Sequence, residues 1–396
     1  MGKVWSSSGV LGSVVALVGL SGAVTGADAQ ERPLGTPVAT HSESFAVVNT
    51  VRELSDGRVL VADPLSKVLI VLDADLVRAD TLGRLGEGPA EYLQPDAVWP
   101  LPGDSTLLVD LGNTRLTMLD SDGAFGRTRP IAQGNGGPGT PPALALPSGV
   151  DGQGAIYFTS MPAMGPEGPS DTVTVLRLGP NGGAPTPITQ LKTTSFTSRT
   201  SGSANNQNVN ISSIPLSATD VWAVAGDGSV AVARAGEVQV DWISPDGTTT
   251  RGSRIDLASV PIRQAEKEEW SADRESSGGG VGIEMTVDNG VRSMRMSRGG
   301  MGDGPDLNAM TWPELKAPWV AASGRIDAEG RFWARRSLPA GTPALYDVFG
   351  RDGSHVGSIR FPEGRRLVGF GENAVYAVDV DPFDLKTLER YALPPL

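Results

Sequence analysis

Short apolar runs broken at intervals by Asp-Gly, Glu-Gly or Asn-Gly steps make up most of this chain. Leu60-Val61-Ala62-Asp63 through Leu72-Asp73 superimposes without a gap on Leu107-Leu108-Val109-Asp110 through Leu119-Asp120, at an offset of 47 residues. Each segment reads as an apolar strand, a short polar turn, an alternating second strand and a further turn at Ala74-Asp75 or Asp122-Gly123. The unit recurs in weaker form. Asp151-Gly152 precedes Ala155-Ile156-Tyr157-Phe158, Asp227-Gly228 precedes Val230-Ala231-Val232-Ala233, Glu329-Gly330 precedes Phe332-Trp333-Ala334, and Glu372-Asn373 precedes Val375-Tyr376-Ala377-Val378. Partner turns follow at Asn181-Gly182, Asp246-Gly247 and Asp352-Gly353.

The first turns fall at residues 57, 103, 152, 228, 330 and 372, which makes six units. Two of the spacings exceed one unit. The excess in the third is the polar stretch Thr193 to Ser213, which reads as a long loop or extended hairpin. The fourth holds an insertion over 259–318: Ser259 and Pro261 lead into a short capped helix, Arg263 to Glu275, which Gly278-Gly279-Gly280 ends. Val281, Ile283, Met285 and Val287 then alternate with other residues up to Asp288-Asn289-Gly290, and Val291 to Arg298 returns, a hairpin pattern. Gly299 to Pro305 has linker chemistry, and Trp312-Pro313 to Pro318-Trp319 leads back. The last unit has one strand too few, which Gly35 to Ser42 can supply. These features predict an all-β fold: a six-bladed β-propeller of four-stranded antiparallel blades, its ring closed by an N-terminal strand, with a helix and hairpin inserted.

The chain's start is of another kind. Lys3 precedes an apolar, Gly- and Ser-rich run from Val10 to Thr25, shorter than the roughly 20 residues of a spanning helix, and Ala27-Asp28-Ala29 follows. Residues 1–29 therefore read as a signal peptide cleaved near Ala29, leaving 30–396 as a periplasmic or extracellular propeller with no membrane span. Composition narrows the chemistry. There are 51 Gly and 30 Pro but no Cys and only 2 His, so disulfides, zinc-thiolate sites, Cys nucleophiles and three-His metal centres are excluded. The net charge of −12 disfavours nucleic acid as a partner.

The run Gly86-Glu87-Gly88-Pro89-Ala90-Glu91-Tyr92, with Leu108-Val109-Asp110-Leu111-Gly112-Asn113-Thr114-Arg115-Leu116 and Asp122-Gly123 after it, resembles the repeat of NHL-type six-bladed propellers. The insertion with Phe332-Trp333-Ala334-Arg335 and Tyr346-Asp347-Val348-Phe349 resembles secreted bacterial six-bladed propeller proteins of unassigned function. The resemblance implies the fold and leaves the activity open, because one fold hosts many functions.

Candidate binding residues follow from position. Asp63 and Asp110 sit at strand ends, where they either face the axis and hold a cation, as in the calcium-dependent lactonase-type propellers the fold resembles, or accept hydrogen bonds from the next turn. Asn113 shares the turn with Asp110, and Arg115 stands either at a channel mouth or on a solvated strand face. In the insertion, Arg292 and Arg295 interleave with methionines near Trp312, as a partner patch or as packing onto the ring. His355 follows a turn and reads as an exposed loop histidine, and no Ser-His-Asp order or G-x-S-x-G elbow stands out. The leading expectation is a secreted, noncatalytic binding or scaffold propeller for a protein or carbohydrate ligand, with no cofactor. The alternative is a Ca²⁺-dependent lactonase- or lyase-like enzyme with an acidic axial site.

Overall fold

The computed structural model describes residues 1, 31–133, 143–165, 168–203, 206–279, 281–288, 291–298 and 306–396. The expected leader beyond Met1, the Gly136-Gly137-Pro138-Gly139 run and the Gly299 to Pro305 linker lie outside the described residues.

Six small sheets form the ring. Blade one comprises Val51–Glu53, Val59–Asp63, Val68–Leu72 and Ala79–Thr81, from axis to rim. Blade two, Pro95–Pro100, Thr106–Asp110, Arg115–Leu119 and Phe125–Pro130, repeats it. Blade three begins at Gly149–Val150, blade four at Val221–Val224, blade five at Arg325–Ile326 and blade six at Arg365–Phe370. Burial explains why the strands read as they do. Every residue of Val59–Asp63 and of Thr106–Asp110 is buried, because a second strand is covered on both faces by its own and the neighbouring blade. Such strands need continuous apolar runs rather than alternation. At the rim, Ala79–Thr81 and Thr249–Arg251 are wholly exposed.

The core is divided among the blade interfaces. Val61 and Leu72 of blade one meet Val368, Tyr376 and Leu388 of blade six, and Leu60 and Leu69 of blade one meet Val98 and Leu108 of blade two. Further clusters join blades two and three, three and four, four and five, and five and six, so that the contacts run round a closed circle. Turn glycines fit where blades touch: Gly228 has φ +85°, and a Cβ there would lie 2.9 Å from the Tyr157 hydroxyl of blade three.

Ala39–Phe45 closes blade six by pairing antiparallel with Lys386–Ala392, from Ala39 opposite Arg390 to Phe45 opposite Lys386. The closing strand thus lies a few residues later than Gly35 to Ser42. Blade five carries a fifth, parallel strand that the sequence pattern does not announce, Glu31–Pro33 beside His355–Arg360. Arg360 fixes it with two bonds to the Glu31 carboxylate, 2.9 and 3.0 Å long.

Thr193 to Ser213 contains a hairpin, Phe196–Ser203 with Asn206–Ser213. The insertion holds the molecule's one described α-helix, Gln264–Ser276, followed by the hairpin Val281–Asp288 and Val291–Arg298 in the expected register. Ser259 is not its cap. The Arg263 amide donates to Glu266 Oε2 (3.0 Å), so a carboxylate inside the first turn takes that role.

Two outcomes test the closure. Phe45 is 3% exposed, and Phe45→Ala is expected to lower stability by roughly 3–5 kcal/mol in urea unfolding. Removal of residues 31–45 uncovers the edges of Lys386–Ala392 and His355–Arg360, and light scattering should then show self-association.

Candidate functional site

The inner strands of the ring begin at one common end, and the insertion is fastened across it. On blade five, the Ala340 amide donates to Glu266 Oε1 and the Gly341 amide to Glu269 Oε1, each at 3.1 Å. Lys316 Nζ ties Glu269 Oε2 to the Leu338 carbonyl, both at 2.9 Å. On blade one, Gly278 (φ +73°) approaches Val47 so closely that a Cβ would lie 3.0 Å from its methyl group. On blade two, Arg298 pairs through Nε and Nη2 with Asp96, while its backbone exchanges bonds of 2.8 and 2.7 Å with the Gln94 side chain. Met296, 1% exposed, joins the core of blades two and three. The cap therefore reaches from blade five to blade two, over the axial mouth.

Several polar side chains converge there. Asn49 Nδ2 donates to the Asp96 carbonyl (3.2 Å) and carboxylate (3.3 Å). Arg366, second residue of its inner strand, donates from Nη2 to the Val48 carbonyl at 3.0 Å. Arg325, first residue of its own, donates from Nη1 to the Ala322 and Gly324 carbonyls, at 3.1 and 2.8 Å, and its buried Nε has no partner. Burial pushes both guanidiniums below the usual arginine value, and for Arg366 the charges of Arg335 and Arg298 add to the effect. From the helix comes Asp273, whose Oδ2 lies 3.6 Å from Arg335 Nη1. Its side chain keeps 58% of its area accessible. Burial nevertheless raises its pKa, with Glu269 adding to the rise and Arg335, Arg366 and Lys316 opposing it. Asp273 thus stands on the cap helix, largely accessible and beside Arg335.

The residues singled out from sequence lie elsewhere. Asp63 is 1% exposed and accepts from the amides of Ala46 (2.7 Å), Val47 (3.3 Å), Leu65 and Ser66 (both 3.1 Å) and from the Ser66 hydroxyl (2.8 Å). Asp110 does the same one blade on, for the amides of Leu93 and Gln94 and the side chain of Asn113. Asn113 also donates to the Gly86 carbonyl, and Arg115 to those of Glu87 and Glu91. The repeat motif thus stitches the Gly86 to Tyr92 loop to its blade. Arg295 is exposed, while the side chain of Arg292 lies outside the described residues. Trp312 packs edge-on against Trp270 (5.4 Å between centroids) and donates to the Leu307 carbonyl (2.9 Å).

His355 is no loop residue. It opens a strand, and its Nε2 lies 3.3 Å from Asp347 Oδ1 and 3.1 Å from Ser358 Oγ, in a cluster that Arg336 and Trp319 complete. Ser358 is 3% exposed and donates to Asp347, so these three side chains knit blade five together. At the opposite mouth a cavity of about 330 Å³ is lined by Arg52, Glu53, Asp104, Asp327 and Glu372 among others. Within it Arg52 pairs with Asp104 at 2.8 Å, and Asp327 pairs with Arg331 at 2.7 Å.

Among the described residues, no group of three or more His, Asp or Glu side chains converges as a metal site would. Nor is any helix among them long and apolar enough to cross a membrane.

No family model and no curated protein matches the chain. Solved structures do. A gluconolactonase from Xanthomonas campestris is 13% identical, with 92% of this chain and 99% of that one covered and a TM-score of 0.40. The calcium-binding protein regucalcin from Agrobacterium tumefaciens is 11% identical, with coverages of 93% and 98% and a TM-score of 0.40. An exported protein of Bacteroides fragilis is 9% identical, with coverages of 92% and 99% and a TM-score of 0.44. The noncatalytic binding or scaffold expectation is corrected on this finding, since the gluconolactonase is an enzyme, and it is not carried forward. At these identities the likeness speaks to the propeller fold alone.

The Asp347 cluster has a pH consequence. Burial by itself would raise this carboxyl, but hydrogen bonds from His355 and Arg336 outweigh it and hold the pKa below the ordinary value. A depressed folded-state pKa stabilises above the unfolded value of about 3.9 and ceases to do so as pH falls through the folded value. Asp347→Asn should therefore be less stable than the parent at neutral pH, and thermal melts should show the difference closing on acidification below about pH 4.

Proposed function

We propose that the capped axial mouth is a reaction chamber for acid–base chemistry of the lactonase or lyase kind, with Asp273 as the proton-transfer group. The observation that carries this reading is the setting of Asp273, a carboxyl on the cap helix with a guanidinium 3.6 Å away and a pKa raised by burial. A carboxyl with a raised pKa is a stronger base than an ordinary one, which suits proton transfer. In ring opening of a lactone, Asp273 takes a proton from the attacking water, the C–O ring bond breaks, and the proton passes to the departing alkoxide. Arg335 stands beside it to stabilise negative charge on the carbonyl oxygen. In elimination, the same carboxylate takes a proton from carbon and returns it to the leaving oxygen.

Calcium fits these residues poorly. It takes roughly 6–8 oxygen ligands, whereas the axial carboxylate Asp96 is neutralised by Arg298 and bonded by Asn49. The remaining charged groups at this mouth, Arg325, Arg335 and Arg366, are cations that repel Ca²⁺ and offer it no lone pair. The leader-like start of the chain supports a site of action outside the cytoplasm.

A panel of lactones and elimination substrates, assayed with the full chain, tests the reading. Asp273→Asn should lower kcat at least ~10²-fold with an unchanged circular-dichroism spectrum. In the parent, the base limb of the rate profile should rise with pH at a value above the ordinary carboxylate pKa of about 4. A variant as fast as the parent sinks the proposal, and saturable Ca²⁺ binding in calorimetry would reopen the metal-dependent route.

A further inference from the structure

Arginine on this ring is ordinarily matched by acid. Arg298 has Asp96, Arg331 has Asp327, Arg336 has Asp347, Arg234 has Asp220 and Asp241, and Arg365 has Asp379 and Glu389. Arg325 and Arg366, like Arg390, which donates to the Ala74 carbonyl, are not matched in this way. They stand at the starts of the inner strands of neighbouring blades, under the cap, and neither has a carboxylate within 4 Å among the described residues. Their hydrogen bonds there go to backbone carbonyls and use one nitrogen each, Nη1 of Arg325 and Nη2 of Arg366. The Nε of Arg325 is enclosed and unpartnered.

A guanidinium cannot shed its charge, and a desolvated charge without a partner is costly. Each of these two also raises the cost of the other, since the positive charge of Arg366 acts on Arg325. A chain with 45 acidic residues against 33 basic ones has ample carboxylate for pairing, yet here only Asp273 acts on Arg366, from beyond ion-pair distance. What would relieve both charges is an anion that accepts from the free edges of both forks.

We infer that Arg325 and Arg366 form an anion clamp on the floor of the capped chamber, taking a carboxylate or phosphate group of the substrate. The clamp rests on the reaction-chamber reading for its role, since it places the substrate's anionic end at the axis and its reacting end toward Asp273 on the cap. Arg335 stands beside Asp273, and its charge acts on Arg366.

Binding of the full chain to inorganic phosphate and, separately, to malonate tests the clamp by calorimetry and thermal shift, and the two arms tell phosphate from carboxylate. At least one probe should bind saturably and raise the melting temperature. Arg325→Gln and Arg366→Gln should each weaken that binding about tenfold or more, whereas Arg351→Gln, on the outer surface, should change it less than about twofold. Arg366→Lys keeps the charge without the fork and should fall between. Circular dichroism selects the folded variants for comparison. Neither probe binding the parent, or folded Gln variants binding as tightly as the parent, overturns the clamp. Asp273→Asn separates the two ideas, because it should abolish turnover and leave probe affinity unweakened. Probe binding without turnover of any substrate overturns the reaction chamber alone, and turnover without probe binding overturns the clamp alone.

Discussion

Blade-on-blade packing is the constraint on which the rest of the molecule depends. A small four-stranded sheet is apolar on both faces here, as the fully buried strands Val59–Asp63 and Thr106–Asp110 show, so no blade is stable until a neighbour covers each side. An open row of blades would leave two apolar faces and two strand edges in water. The contacts between Val61 of blade one and Tyr376 and Leu388 of blade six remove the last face, and the pairing of Ala39–Phe45 with Lys386–Ala392 joins the first segment to the last blade. Cooperative closure also explains why the terminal segment reaches further, with Glu31–Pro33 lying along blade five beyond the strand that closes blade six.

Closure fixes what the two ends of the axis can be. The inner strands are short, and their first residues are delivered to one rim by loops that must themselves be held. Asp63 and Asp110 perform this service in successive blades, each gathering amides from the loop before the inner strand and from the turn after its own strand. The D-x-x-N-x-R signature is therefore a stitching device. Its acids are consumed by backbone amides, which leaves them unsuited to a cation and leaves the mouth to the residues that the stitched loops present: Asn49, Asp96, Arg325 and Arg366.

The ring was legible in the sequence because its signals are local. An Asp-Gly turn with a positive-φ glycine, or an apolar run covered on both faces, can be recognised within ten or so residues. The hairpin Val281–Asp288 and Val291–Arg298 was legible for the same reason. The chemistry was not, because Asp273, Arg335 and Arg366 come from a helix, a second strand and an inner strand that only the closed ring and its cap bring together. His355 misled: a turn two residues before it suggests exposure, yet the strand it opens folds it against Phe349 and Asp347.

The cap and the axial arginines explain each other. Without the insertion, Arg325 and Arg366 would lie at an open mouth, hydrated and screened, and their lack of acidic partners would cost little. The helix and hairpin enclose them, and the lower effective dielectric that follows strengthens both their mutual repulsion and their attraction for an incoming anion. Arg298 marks the limit of that arrangement. It is a cation of the cap, and it is neutralised by Asp96 of the ring. Asp273 is the compensating group the cap does bring, placed against Arg335 rather than between Arg325 and Arg366. A site built only for stability would have set that carboxylate deeper, where two unmatched guanidiniums stand. Its placement at the rim leaves the positive floor open to a ligand and keeps the acid beside the space that a bound ligand's reacting end would occupy.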